Sequence, residues 1–209
     1  MSSLDKIAFF QNRRDELPNQ RLAQELAATK DDDGIREIAA NLQNKNRNVR
    51  SDCLKVLYEI GYLDPGLVAG YCNEFLALLK SRDNRMVWGA LIGLATIADL
   101  RPDEIWEQID EVILRTGTGT VISQVWGLRV LAHVAAANQR YRQKIFPFLL
   151  EQIRGCLARD IPTHAGSILC AVDKDNKGEL VSILEARQSE MTPSQLSHLK
   201  KVRKQIEAA

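Results

Sequence analysis

The side chains best suited to chemistry in this 209-residue chain are aromatic and basic. Trp88 and Trp126 each sit in a Val-Trp-Gly step, with Arg85 three residues before the first and Arg129 three residues after the second. His133 follows four residues later, and Arg47, Arg50 and Arg82 lie in or beside polar turns. Indole rings offer large rigid contact area and guanidinium groups offer charge-assisted hydrogen bonds, the pairing that anchors protein-recognition surfaces. The candidate binding residues are therefore Arg47, Arg50, Arg82, Arg85, Trp88, Trp126, Arg129 and His133.

Stretches that imitate catalytic or cofactor motifs fail in detail. DKDNKGELVSILE, residues 173–185, places Asp173, Asp175 and Gly178 as a calcium loop would, but Lys177 takes a ligand position and Leu184 stands where a bidentate Glu is needed. TGTGT, residues 116–120, lacks the GK[ST] ending of a phosphate loop. A helix stop at Gly117 and a threonine cap at Thr120 account for it. No Cys, Asp or Glu at metal-ligand spacing joins His133 and His164, and no serine or cysteine is read as a nucleophile with a plausible base beside it. No catalytic residue, metal or cofactor is expected.

The 28 basic and 27 acidic residues leave a net charge of +1, so nothing draws the whole molecule to nucleic acid or membrane. Charge is nevertheless asymmetric. Lys45, Arg47 and Arg50, then Lys80, Arg82 and Arg85, then Arg115 mark one set of turns. Asp64, then Asp99, Asp103 and Glu104, then Asp173 and Asp175 mark the other. Complementing helix dipoles accounts for this pattern, and so does a basic rim that docks an acidic peptide or phosphate. The four cysteines form no CxxC pair and read as reduced core thiols. No apolar run has signal-peptide or membrane-spanning length, so a cytoplasmic protein is expected.

The elements that must position these residues are helices. Helical periodicity predicts twelve, over 4–16, 19–30, 34–43, 48–62, 66–80, 85–99, 103–115, 121–137, 140–158, 163–172, 178–190 and 194–207. A 37-residue step relates them: Leu54, Leu91 and Leu128; Leu57, Leu94 and Leu131; Ile60, Ile97 and Val134. Small residues precede each row at Cys53, Ala90 and Gly127, and a weaker fourth copy falls on Ala165, Ile168 and Ala171. A two-helix unit of that length buries its apolar face only against its neighbours.

The stretches NRNVRSDCLKVLYEIG and RDNRMVWGALIGLATIA resemble the second helix of HEAT repeats, with a polar turn, Val-Arg in the first (Val49-Arg50), a small residue and leucines. The resemblance covers roughly residues 33–175. It implies an all-α, right-handed α-solenoid of about five or six HEAT-like helix pairs, the inner helices lining a concave face. Residues 1–32 would cap one end and 176–209 the other, within one domain 1–209. Phe9 and Phe10 would staple the first repeat, and HLKKVRKQIEAA would form a charged last helix.

The two tryptophans are 38 residues apart, one more than the repeat step, so they are not equivalent. At about 100° per residue, Trp88 lies about 60° from the Leu91 direction and is expected in the core, while Trp126 lies about 160° from Leu128. Trp106 is expected near the start of an outer helix, packed on the previous repeat. Helical-repeat alkylpurine DNA glycosylases are similar in size and use concave-face tryptophans, but they place an aspartate one turn from one of them. Ile92 and Val130 stand there instead. The expected function is a non-enzymatic protein-interaction or scaffold module binding a protein or peptide on its concave face. The alternatives are a nucleic-acid-binding or glycosylase-like HEAT protein and an assisting subunit of a HEAT-type bilin lyase.

Overall fold

The computed structural model describes residues 2–208, and all regular structure among them is helical. Twelve α-helices occur among the described residues: α1 Leu17–Thr29, α2 Asp32–Ala40, α3 Arg47–Leu63, α4 Cys72–Leu78, α5 Asn84–Ile97, α6 Pro102–Trp106, α7 Ile109–Thr118, α8 Val121–Ala137, α9 Gln139–Gly155, α10 Ile161–Ser167, α11 Lys177–Ala186 and α12 Pro193–Ala208. The chain divides into two compact units, Met1–Glu111 and Val112–Ala209. In the first, α1, α3 and α5 stack as one layer, with α2 packed on α3, α4 on α5 and α6 on α4. In the second, α8, α10 and α12 form one layer, and α9 packs against α8, α10 and α11.

The periodic rows are the core of this arrangement. Leu57, Leu94 and Leu131 are each fully buried, as are Leu91, Leu128, Ile60, Ile97 and Val134, and Leu54 is nearly so. The fourth copy, Ala165, Ile168 and Ala171, is buried as well. Two glycines mark close approaches between neighbouring helices. A Cβ on Gly93 of α5 would come within 2.9 Å of the Phe75 ring of α4, and one on Gly127 of α8 would collide with Thr116 of α7. Cys53 and Cys72 are also buried, and burial pushes both thiols up to about 12.

Polar side chains start the helices. Asp31 accepts from the Gly34 N–H, Asn46 from Asn48, Asp83 from Arg85, Thr120 from Ser123 and Asn138 from Tyr141. Each satisfies one of the free backbone donors at a helix N-terminus. Thr120 is the cap anticipated from TGTGT, although α7 runs through Gly117 to Thr118.

Several expected elements come out differently. The helix anticipated over 4–16 is a single 3₁₀ turn, Leu4–Lys6, followed by turns in which Asn12 takes φ 53°. Its backbone donors go elsewhere: Ala8 N–H to Asn19 Oδ1 (2.9 Å) and Phe9 N–H to Asp52 Oδ2 (2.8 Å). Ile7 and Ala8 are buried there, whereas Phe9 and Phe10 pack edge-on at 5.1 Å and stay exposed instead of stapling the repeat. The helix expected over 66–80 shortens to α4 behind two 3₁₀ turns, Pro65–Leu67 and Ala69–Tyr71. The one expected over 103–115 splits into α6 and α7. Ile105, Ile109 and Val112 keep helical spacing across the break and are all buried, so periodicity could not reveal it.

Candidate protein-interaction surfaces

A cavity of about 200 Å³ opens in the first unit where residues 13–16 lie against α3 and α5. Leu54, Tyr58, Gly89 and Trp88 form its apolar wall, and Arg13, Arg14, Lys55 and Arg85 bring positive charge. Trp88 is therefore not the core residue anticipated: it is half-exposed on this wall. Its neighbour Gly89 faces α3, where a Cβ would stand 2.6 Å from Leu54 Cδ2, and Val87, Ala90 and Leu91 fill the core.

Most charges on this wall are already matched. Arg13 forks onto Asp15 at 2.9 and 2.7 Å, which holds the Asp15 carboxyl below its ordinary value. Lys55 reaches Glu16 at 2.9 Å and Glu59 at 2.6 Å and lies 4.9 Å from the Tyr58 ring centre. Burial works against the Lys55 ammonium, but its bonds to Glu59 and Glu16 outweigh that and raise its pKa. Asp52 accepts from Phe9 N–H and, at 3.0 Å, from Asn19 Nδ2.

A second surface lies on α8, in the other unit. The Arg129 guanidinium sits 4.4 Å from the Trp126 ring centre, within cation–π range. His133 follows one turn on, and all three side chains are half-exposed. Ile122 extends the row toward the helix start, and it and its neighbour Val121 are exposed. The α8 sequence contains no Asp or Glu, so Arg129 and His133 carry the only ionisable side chains on this helix.

The remaining expected residues do not join either surface as free cations. Arg47 donates from Nε and Nη2 to Asp83 at 2.6 and 3.0 Å, which lowers the Asp83 pKa and raises that of Arg47. Arg50 turns back to the carbonyls of Asn44 (2.7 Å) and Lys45 (3.3 Å). Arg82 is exposed in the turn before α5. Dipole complementation suits Arg115, in the last turn of α7, but not Arg47, Arg50 and Arg85, which lie in the first turns of α3 and α5. Trp106 is half-exposed and ends α6, so it is not near the start of a helix. Arg13, Arg14, Lys55 and Tyr58 went unseen because the wall joins segments some 40 and 75 residues apart, and no sequence spacing signals that meeting. The look-alike calcium loop is occupied internally: Asp173 accepts from the Asp175 and Asn176 N–H groups and pairs with Arg142.

Comparison with protein-family models and with curated proteins gives no match. Solved structures do match. A designed armadillo repeat protein in complex with the peptide (KR)4 superposes with a TM-score of 0.67 at 13% identity, covering 90% of this chain and 86% of that one. The fold is an armadillo/HEAT-type α-solenoid. An engineered protein aligned over 100% of both chains reaches 0.66 at 15% identity. Kap121p reaches 0.67 at 16% identity over 98% of this chain, which spans 23% of Kap121p. The solenoid is thus built from several helix pairs, and no helix among its described residues is long and apolar enough to cross a membrane.

Proposed function

We propose that this solenoid is a non-enzymatic protein-interaction module of the cytoplasm, binding a protein or peptide partner through exposed faces of its stacked helices. The observation that carries the reading is the α8 row, where an indole with a stacked guanidinium and an imidazole share one half-exposed face. Such rows supply rigid area and directional charge without a catalytic group. The armadillo design is similar in fold and its own partner is a basic peptide. In this chain α5 and α8 contain no carboxylate, so the partner expected here is acidic.

A nucleic-acid, base-excising or bilin-attaching role draws less support. Ile92 and Val130, one turn beyond the tryptophans, are buried aliphatics, and a net charge of +1 suits a duplex clamp poorly. The test is partner capture by the immobilised full chain. Trp126→Ala with Arg129→Ala, at unchanged melting temperature, should lower capture about tenfold, the scale of an interface hot spot. Undiminished capture, or a salt-dependent shift of duplex DNA in place of capture, overturns the reading.

A further inference from the structure

The cavity beside α3 and α5 holds two cations, Arg14 and Arg85, that no hydrogen bond or salt bridge among the described residues takes up. Among the described residues, the guanidinium groups of Arg14 and Arg85 have no ion-pair or hydrogen-bond partner, and both side chains are exposed. Every carboxylate on the wall is engaged: Asp15 by Arg13, Glu16 by Lys55, and Asp52 by Phe9 and Asn19. Arg85 also sits in the first turn of α5, where helix partial charge is positive. Arg47 and Arg50 meet the same condition in α3, yet Asp83 and two carbonyls answer them. The Asp83 carboxylate feels the Arg85 charge but makes its ion pair with the Arg47 fork. Trp88 supplies an indole to the same wall.

Size narrows the occupant. About 200 Å³ falls below the roughly 300–1,000 Å³ of small-molecule sites and suits a single side chain better than a nucleotide. We propose that this cavity is a subsite for one acidic side chain, aspartate or glutamate, of a partner peptide. Its carboxylate is taken by Arg14 and Arg85, and the apolar residue next to it lies on Trp88. The proposal rests on the protein-interaction reading and names the chemistry of one contact within it.

The test uses the full chain with Trp106→Phe and Trp126→Phe, which leaves Trp88 as the sole indole, and the blocked peptide (Glu-Leu)4 as probe. Saturable change in Trp88 emission, weakening as salt rises, is expected. Arg14→Ala with Arg85→Ala should weaken binding about tenfold, while the double lysine variant keeps most of it. If the phenylalanine background folds poorly, fluorescein-labelled (Glu-Leu)4 on the chain with all three tryptophans supplies the affinities by anisotropy, with and without the Arg14 and Arg85 substitutions. Equal binding of (Gln-Leu)4, unchanged affinity in the double alanine variant, or tighter binding of oligothymidylate overturns the proposal. If these occur while Trp126→Ala with Arg129→Ala still lowers partner capture, only the subsite falls. If capture also persists in that variant, the interaction reading falls too.

Discussion

His164 stands one 37-residue step after Gly127, in a core row otherwise held by small residues, and is 2% exposed. Both its ring nitrogens are buried without a partner among the described residues. Burial lowers its pKa below 6.5, with Asp160 pulling weakly the other way. A histidine depressed in the fold is protonated more readily in the unfolded chain. Its contribution to stability is therefore complete above the unfolded pKa and is lost as pH falls through 6.5 toward the folded value. The melting temperature should drop between neutral pH and pH about 5, and His164→Leu should flatten that drop and add about 1 kcal/mol or more at neutral pH. An identical pH profile in the variant would refute this. Gly93 is the opposite case, a missing side chain that matters: Gly93→Val should cost about 1–3 kcal/mol by crowding Phe75, and Phe75→Leu should restore part of it in denaturant titrations. Neither role could be read from the sequence. The 37-residue step places His164 correctly, but the absence of a partner is a fact of three dimensions.

Among the elements, α5 depends on one residue twice. Asp83 caps its first turn and receives the Arg47 fork from α3. The cap is the stronger of the two, because Arg47 is largely in water, where ion pairs contribute little. Asp83→Ala should lower stability by about 0.5–2 kcal/mol, with Asp83→Asn much milder and Arg47→Ala nearly neutral in thermal melts. At the other end of the chain, Arg187, the residue that follows α11, donates from Nη1 to the carbonyls of Ile153, Arg154 and Cys156 and closes the C-terminus of α9. Element type was legible wherever the apolar rows ran unbroken, and α8 occupies the anticipated 121–137. It was lost where side chains compete for backbone donors, as Asn19 and Asp52 do around Ala8 and Phe9, and where Gly66 and Gly70 loosen the chain before α4.

For the molecule as a whole, the repeat step is a statement about energy as much as about pattern. Leu57, Leu94 and Leu131 are equally buried, so alanine at each should cost a similar amount, about 2–5 kcal/mol by urea titration. A cost near zero at any one would detach that position from the repeat. This common architecture was open to sequence reading because three rows of like residues at one spacing require a unit that recurs and stacks on itself. The cavity was not, since its wall is assembled from segments whose only relation is folding. The cysteines add a kinetic dimension. A thiol reagent must wait at Cys53 and Cys72 until the first unit opens, because both are enclosed and remain protonated at neutral pH. Cys170, at the surface of the second unit, is open to attack from the start. Labelling of the unmodified chain would thus carry its own clock, the outer sulfur marking zero time, half-buried Cys156 coming between, and the two inner ones counting each breath of the first unit.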